Sequence, residues 1–591
     1  MRIKTNWERG PQWGWCLGLC LWTATCLGGT DKPVADLVAE SADFVLLGGS
    51  VHTLDSRNSV VQAVAIHHEK IVYVGTDNGA QKFIGPRTEV YRADGRTVIP
   101  GINETHVHPL EVAREEPLLP FRQLGSIAEI QEWVRQRAKI LPPEEWVRLP
   151  RVDVTRVRER RLPTREDLDL AAPERPVAFV WEYANRHLQV LNSAAMKVAS
   201  ITRDSVSPPK GKIVKDDRGE PTGVLEDAVA LTARWLPEKV PSESQVLDSL
   251  EQTLRAYAKV GITSITERAT DADGWKLYRK LQSQNRLPLR ANLTILMKSK
   301  GTVEEIEQTI RDLPFKPGNG DDHLRVGTLK LGVDGGVLYG TAFLREPYGR
   351  QSFSLYGLSD PQYRGKLQVD ARQTRNFILA GHRLGWQMGT HVTGDAGVDM
   401  VLDAVESIHK EQPIADRRFT LIHAYFANPA AAARAARLGV CVDTQPAWYY
   451  KDGDALADAL GAERLRKFIG VNIWRQAGVK VALNSDHFHG VDPDASLNPY
   501  NPFLTMYVAI TRKTETGLVI GPEQRISRET ALRLMTQEAA WLHFDEQKKG
   551  TLEVGRYGDL AVLSTDFFAC PEEDLKKLRS VLTVVGGKVI K

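Results

Sequence analysis

The stretch V-I-P-G-I-N-E-T-H-V-H-P, residues 98–109, decides how this chain is read: an apolar run passes into two histidines separated by one residue. Successive side chains on a strand point to opposite faces and residues two apart return to the same one, so His106 and His108 can grip one ion together. Alone, such a pair is weak. Three later runs repeat the arrangement, each a short apolar stretch ending in a residue able to bind metal: T-H-V-T-G-D with His391, L-I-H-A-Y-F with His423 and A-L-N-S-D-H with Asp486. Before these lies Lys330, inside V-G-T-L-K-L-G-V-D-G. Four such runs in one chain point to a two-metal hydrolase.

Eight strand-like runs, at 97–106, 262–267, 289–297, 327–333, 386–391, 419–424, 440–444 and 479–485, alternate with helical patterns such as 304–312, 373–384, 399–410 and 430–438. That alternation predicts an α/β fold whose core is a closed (β/α)8 TIM-type barrel. The gap between the first and second runs is too long for a simple connection. It holds a helical stretch at 127–140, Pro-rich turns at 141–143 and 173–176, and the strand-like V-A-F-V-W-E-Y, and reads as a subdomain inserted over about 110–255. Loops at the C-terminal ends of barrel strands carry the chemistry, so an insertion after strand one would shape substrate access. Residues 42–96 alternate short apolar runs with Gly, Asp and Asn, and G-D-L-A-V-L-S and V-L-T-V-V-G-G-K-V-I resume that style near the C-terminus. The two ends are therefore expected to form one small β-sandwich domain, 42–96 plus 546–591, leaving 97–545 to the barrel.

The 591 residues are 26% charged with a formal net charge of +3 and no long run of either sign, so nucleic acid is not an implied partner. Arg2, Lys4 and Arg9 precede an apolar stretch over 13–25, which reads as a signal peptide spanning 1–27. It is shorter than the about 20 apolar residues that a membrane span requires. Cys16, Cys20 and Cys26 fall in or beside it; Cys441 and Cys570 are then all that remain, too few for a disulfide scaffold. The alternative reading makes Cys26 a lipid-bearing cysteine, although Thr23 and Thr25 fit the usual box poorly. Either way the chain is expected outside the cytoplasm, secreted or in the cell envelope (periplasm). Membrane contact would be confined to that anchor, and the oligomeric state is left open.

From Ala42 onward the chain resembles the family-3 branch of the amidohydrolase superfamily, which includes N-substituted formamide deformylases. The resemblance is carried by V-I-P-G-I-N-E-T-H-V-H-P, by P-T-R-E-D-L-D, A-P-E-R-P-V and N-S-A-A-M in the insertion, and by G-E-P-T-G-V-L-E-D-A, L-K-L-G-V-D-G, T-H-V-T-G-D-A-G-V-D, L-N-S-D and G-T-L-E-V-G-R-Y-G-D-L-A-V-L. Two departures stand out. Asn103 and Glu104 occupy places where the family commonly has an aromatic or aliphatic residue and Asp, and Val392-Thr393 replace a more typical Ala-containing pair.

The resemblance implies that His106, His108 and Asp486 hold one divalent ion and His391 and His423 a second, with Lys330, carboxylated by carbon dioxide, bridging two zinc ions. The alternative for Lys330 is a structural lysine whose ammonium pairs with Asp334 or reaches solvent. Asp486 would be the catalytic acid and base for hydroxide shared between the ions, and the reaction would be hydrolysis of a non-peptide carbon–nitrogen bond, an amide or an N-formyl or N-acyl group, in a small molecule. The same ligands serve a lactone, ester or cyclic amide, and a non-catalytic scaffold is a third reading that a full ligand set disfavours. Around the centre, His187, Asp334, Trp448 and His487 are candidate substrate contacts. His187 is nearly as well read as a surface histidine. His487 and His489 would line the pocket, the alternative being that they bind its ions, and Trp448, Tyr449 and Tyr450 form an apolar wall or pack in the core. N-terminal sequencing of the chain from an envelope fraction is expected to begin beyond residue 27; an intact Met1 in a cytoplasmic fraction would contradict export.

Overall fold

The computed structural model describes residues 41–183, 186–237, 239–298 and 300–590. The expected leader with Cys16, Cys20 and Cys26 lies outside them. Eight parallel strands form the central sheet: β1 (Ile102–Val107), β2 (Ile262–Thr270), β3 (Arg290–Met297), β4 (Leu324–Gly332), β5 (Gln387–Val392), β6 (Thr420–His423), β7 (Cys441–Thr444) and β8 (Val481–Leu483). Each pairs with its sequence neighbour. The sheet curls back on itself just beyond β8. There Val107 bridges His487 in parallel, His108 N donates to His487 O at 2.7 Å, and Asp486 N donates to His106 O at 2.9 Å. Closure of the barrel thus runs through the residues expected to bind metal.

The helices between the strands follow from amphipathic spacing and capping. Val303–Arg311 begins at a capping box in which Thr302 and Glu305 satisfy each other's backbone N–H, and buries Ile306 and Ile310, four apart on one face. Ala371–Arg383, Asp395–Glu411 and Pro429–Arg437 cover their strands similarly. Among the described residues no helix is long and apolar enough to cross a membrane, and Cys441 and Cys570 are free thiols.

One expected strand is two. Residues 97–106 read as a single run, but Thr97–Pro100 pairs with Leu560–Leu563 and Ser50–His52, and only Ile102–Val107 enters the barrel. The chain changes sheets at Gly101, where a Cβ would come within 2.1 Å of Thr263 Oγ1, so a side chain has no room. The boundary between the terminal sheets and the barrel therefore falls at Gly101 rather than before Thr97. Phe44–Leu47 lies in a four-stranded sheet, and Thr97–Pro100, Leu560–Leu563 and Ser580–Val585 lie in a six-stranded one. The period of two along Phe44–Leu47 sorts its faces: Phe44 and Leu46 pack with Leu560, Val562 and Val584, whereas Val45 and Leu47 pack with Ala80 and Phe83. Both chain ends thus supply one apolar core.

Between β1 and β2 the chain builds a five-stranded sheet, in spatial order Lys212–Lys215, Pro221–Glu226, Arg186–Leu191, Val177–Tyr183 and Val147–Arg148, with helices that include Ile127–Ile140 and Arg165–Ala171. This segment is tied to the C-terminal ends of the barrel strands. Arg156 grips Asp452, on the helix Pro446–Leu460 that follows β7, through Nε at 3.0 Å and Nη2 at 2.9 Å, and Thr155 Oγ1 donates to the same carboxylate at 2.7 Å. Arg186 Nη1 donates to Tyr339 O, just beyond β4, at 3.2 Å. Replacing one partner of a buried pair leaves an uncompensated charge, so Arg156→Ala should cost about 3–5 kcal/mol in chemical denaturation and open the insertion to limited proteolysis; a loss under about 1 kcal/mol would place the pair among surface bridges.

Candidate metal centre

The side chains at the strand ends converge. His106 Nε2 lies 3.1 Å from His108 Nε2, and the two nitrogens lie 3.2 and 3.3 Å from the same oxygen, Asp486 Oδ1. Across the chamber His423 Nε2 is 2.8 Å from His391 Nδ1, and His423 Nδ1 is 4.0 Å from Asp486 Oδ2. His423 and Asp486 both sit at positive φ, 83° and 54°, a backbone region that non-glycine residues seldom occupy. Ends of strands held in such conformations are characteristic of sites where function fixes side-chain direction.

Lys330, on β4, is 4% exposed. Burial lowers its pKa to about 8; Asp486 opposes that and Arg268 adds to it. Its positive charge acts on His106, His391 and His423, which places it in the same chamber. Burial together with Lys330 holds His106 well below the usual histidine range and brings His391 down to about 3. His423 is likewise held well below it by burial, with His391 and then Lys330 adding. All three are neutral at physiological pH, the form in which imidazole ligates metal. His108 goes the other way. Against the lowering effect of burial, Asp486 and Glu267 raise it to about 9, so it is held as a proton-bearing partner of carboxylates until a cation replaces the proton.

The residues fit a divalent ion. One ligand atom each from His106, His108 and Asp486 lies within 4.8 Å of the others, and imidazole with carboxylate is a donor set that zinc accepts. The neighbours are placed to orient these side chains. Glu267 Oε1 faces His108 Nδ1 at 3.5 Å, which directs Nε2 toward Asp486. Gln445 Oε1 stands 2.8 Å from His423 Nδ1, leaving Nε2 for the side shared with His391, and Gln445 Nε2 is 3.5 Å from His106 Nδ1. Below them Arg268, fully buried, donates to Asp443 Oδ2 at 2.6 Å and to Thr105 O at 2.8 Å, while Thr105 Oγ1 and Asn484 Nδ2 each reach Asp443 Oδ1 at 2.5 Å.

Neither Glu267 nor Gln445 was marked by the sequence. Glu267 sits among the Thr, Ser and Arg residues of β2 with nothing to set it apart, and Gln445 directly follows Thr444 at the end of β7, a position equivalent to those of the candidate ligands on other strands. The departures from the family pattern also find places. Asn103 Nδ2 donates to Thr536 O at 2.8 Å, and Glu104 Oε1 accepts from Ser485 N at 3.0 Å and His106 N at 3.4 Å.

The candidate substrate contacts separate. Trp448 Nε1 donates to Asp486 Oδ2 at 3.3 Å and lies at the centre. Tyr449 and Tyr450 turn away from it because Pro446 starts a helix there, not a strand. Tyr449 is fully buried against Arg512, its hydroxyl bonded to Ile520, and Tyr450 packs near Tyr507. Asp334 accepts from the N–H groups of Phe343, Thr393 and Gly394, each at 2.9 Å, so it anchors the loops after β4 and β5. The charges that act most on Lys330 are instead those of Asp486, Arg268, Asp443 and Glu267. His487 has both ring nitrogens engaged, Nδ1 with Tyr257 OH at 2.7 Å and Nε2 with Gly490 O at 2.9 Å, and serves the barrel seam. His187 is half-exposed on the insertion, 3.9 Å from Glu182. His489 pairs with Glu111 and Glu115 instead of lining the chamber.

The sequence pattern of the amidohydrolase family matches residues 89–591. The chain is 26% identical over 563 residues to N-substituted formamide deformylase of Arthrobacter pascens, covering 93% of this chain and 98% of that protein. Among solved structures, an uncharacterized metal-dependent hydrolase from Pyrococcus horikoshii OT3 superposes with a TM-score of 0.65 at 19% identity, over 90% of this chain and 99% of that one. One from Pyrococcus furiosus gives 0.62 at 22% identity, over 89% and 99%. These two likenesses concern the fold. Substituting residues that orient metal ligands typically lowers affinity about 10–100-fold, and Gln445→Ala is expected to do so in a competition titration with a chromogenic chelator; unchanged affinity would make Gln445 a packing residue.

Proposed function

The chain belongs to the amidohydrolase family, and on that footing we propose that it is a metal-dependent hydrolase of a non-peptide carbon–nitrogen bond, an amide or an N-formyl or N-acyl group of a small molecule. The observation that carries this reading is the meeting of His106, His108 and Asp486, from the first and last strands of the barrel where they adjoin at the seam, around one point. The similarity to a formamide deformylase supports the choice of bond.

His106, His108 and Asp486 would hold one ion and His391 and His423 a second, with Lys330 between them. Zinc suits these donors. A pair of divalent ions there would lower the pKa of water and polarise the scissile carbonyl. The chain's own groups do the rest. The Lys330 amine, brought toward neutrality by burial, can add to carbon dioxide and lose a proton, becoming a carbamate whose two oxygens attract cations where an ammonium repels them. Asp486, with one oxygen toward the histidines and the other held by Trp448, is placed to take a proton from attacking water and pass it to the leaving nitrogen. Glu267 and Gln445 keep the imidazoles in the tautomers this requires. The insertion, fixed to the helix after β7, limits access to the chamber and shields these groups from bulk water.

Lys330→Ala should lose metal at one position or both and lower kcat by about 10²-fold or more, with partial recovery on adding short-chain carboxylates. Full activity in that variant would refute the bridging role. A panel of N-formyl, N-acyl, cyclic-amide, lactone and ester compounds tests the bond: turnover confined to lactones or esters would replace the proposed reaction while keeping the centre.

A further inference from the structure

Over the seam of the barrel, where β1 meets the segment beyond β8, a second group of ligating side chains gathers that the histidine centre does not use. Glu111 and Glu115 lie four apart on the helix Pro109–Glu115 and so share a face. His489 follows Asp486 by three residues. Its Nδ1 is 2.7 Å from Glu115 Oε2 and its Nε2 is 3.4 Å from Glu111 Oε1, and one ligand atom from each residue falls within 4.8 Å of the others. The imidazole is 4% exposed. Its Nε2 is sealed from solvent and makes no hydrogen bond, although it faces the Glu111 carboxylate.

The surrounding charge is mixed. Arg151 and Arg148 act on Glu115, Arg151 also acts on Glu111, and Glu116 lies near both His489 and Glu115. Arg151 is itself engaged by Tyr339 OH at 2.7 Å and faces Asp153. Glu111 and Glu115 are 42% and 54% exposed, so the buried imidazole closes one side of the cluster and solvent reaches the other. Hydrogen bonds to both glutamates would satisfy both ring nitrogens, whereas here Nε2 approaches Glu111 without the geometry of a hydrogen bond.

We propose that Glu111, Glu115 and His489 form a separate divalent-cation site that clasps the barrel seam, distinct from the histidine centre. Two carboxylate oxygens and one imidazole nitrogen suit manganese(II) or zinc(II), with water completing the sphere. The location gives the cation its role. The first strand meets the end of the sheet through the Val107–His487 bridge and two backbone hydrogen bonds, and the proposed ion would join the helix that follows β1 to the segment that follows Asp486. The Phe488 ring stands between the two sites, 4.6 Å from His489 and 6.5 Å from His108.

The full chain, stripped with a chelator and titrated with manganese(II) while free aqua ion is followed by electron paramagnetic resonance, tests the proposal. The Glu111→Gln/Glu115→Gln variant should bind one ion fewer per chain than the wild type, and His391→Ala/His423→Ala should keep the ion that the glutamate variant loses. If the glutamate variant does not fold, His489→Gln, which retains a neutral amide, should weaken that ion by about tenfold or more. Manganese should also raise the Tm of the wild type more than that of His489→Gln. Equal ion counts and equal Tm shifts in the wild type and the rim variants would overturn the proposal and leave the three side chains as a structural contact across the seam. Failure of the histidine centre alone would show as loss of the other ions with the rim ion retained.

Discussion

Groups from residues 106 to 486 share one chamber because a parallel sheet has closed, and the closed sheet is held from within by a charge pair. Arg268 on β2 and Asp443 on β7 meet in the barrel with no exposure to solvent, and their remaining hydrogen-bonding capacity goes to Thr105 on β1 and Asn484 just past β8. Burying two charges is costly unless geometry and satisfaction are good. Here the four partners come from four consecutive elements, β7, the end of β8, β1 and β2, on either side of the seam. The network thus ties the seam together in the layer beneath the histidines.

Specific polar groups also define the mouth. Asp334 gathers three backbone N–H groups from the loops after β4 and β5, and Asp452 gathers Thr155 and Arg156 from the insertion. Each carboxylate is buried and each organises backbone or side chains that no hydrophobic contact could position by direction. Apolar packing closes the barrel, and these acceptors decide where its loops lie.

The convergence of His106, His108, His391, His423 and Asp486 was legible because a barrel strand advertises itself twice, as an apolar run and as a polar residue at its end. Their neighbours were not. Glu267 and Gln445 are single polar residues whose meaning depends on which imidazole nitrogen faces them, a relation between distant strands that no local pattern carries. His487 and His489 repeat the spacing of His106 and His108, yet Asp486 at positive φ breaks the strand geometry that made the first spacing meaningful, and the two rings serve the seam and the rim. The aromatic run 448–450 reads as a wall only if it is extended, and Pro446 makes it helical. Continuity misled at 97–106, since V-I-P-G-I-N has no polar break to show that Gly101 passes the chain from one sheet to another.

The terminal sheets carry a consequence for biosynthesis. Phe44 and Leu46 leave the ribosome more than five hundred residues before Leu560, Val562 and Val584, against which they pack. During vectorial synthesis their apolar faces wait uncovered while the whole barrel is made, and they are exposed edges for other chains to pair with. Synthesis of Leu560–Leu563 and Ser580–Val585 is what covers these faces, so the core cannot form before the barrel between them has been made.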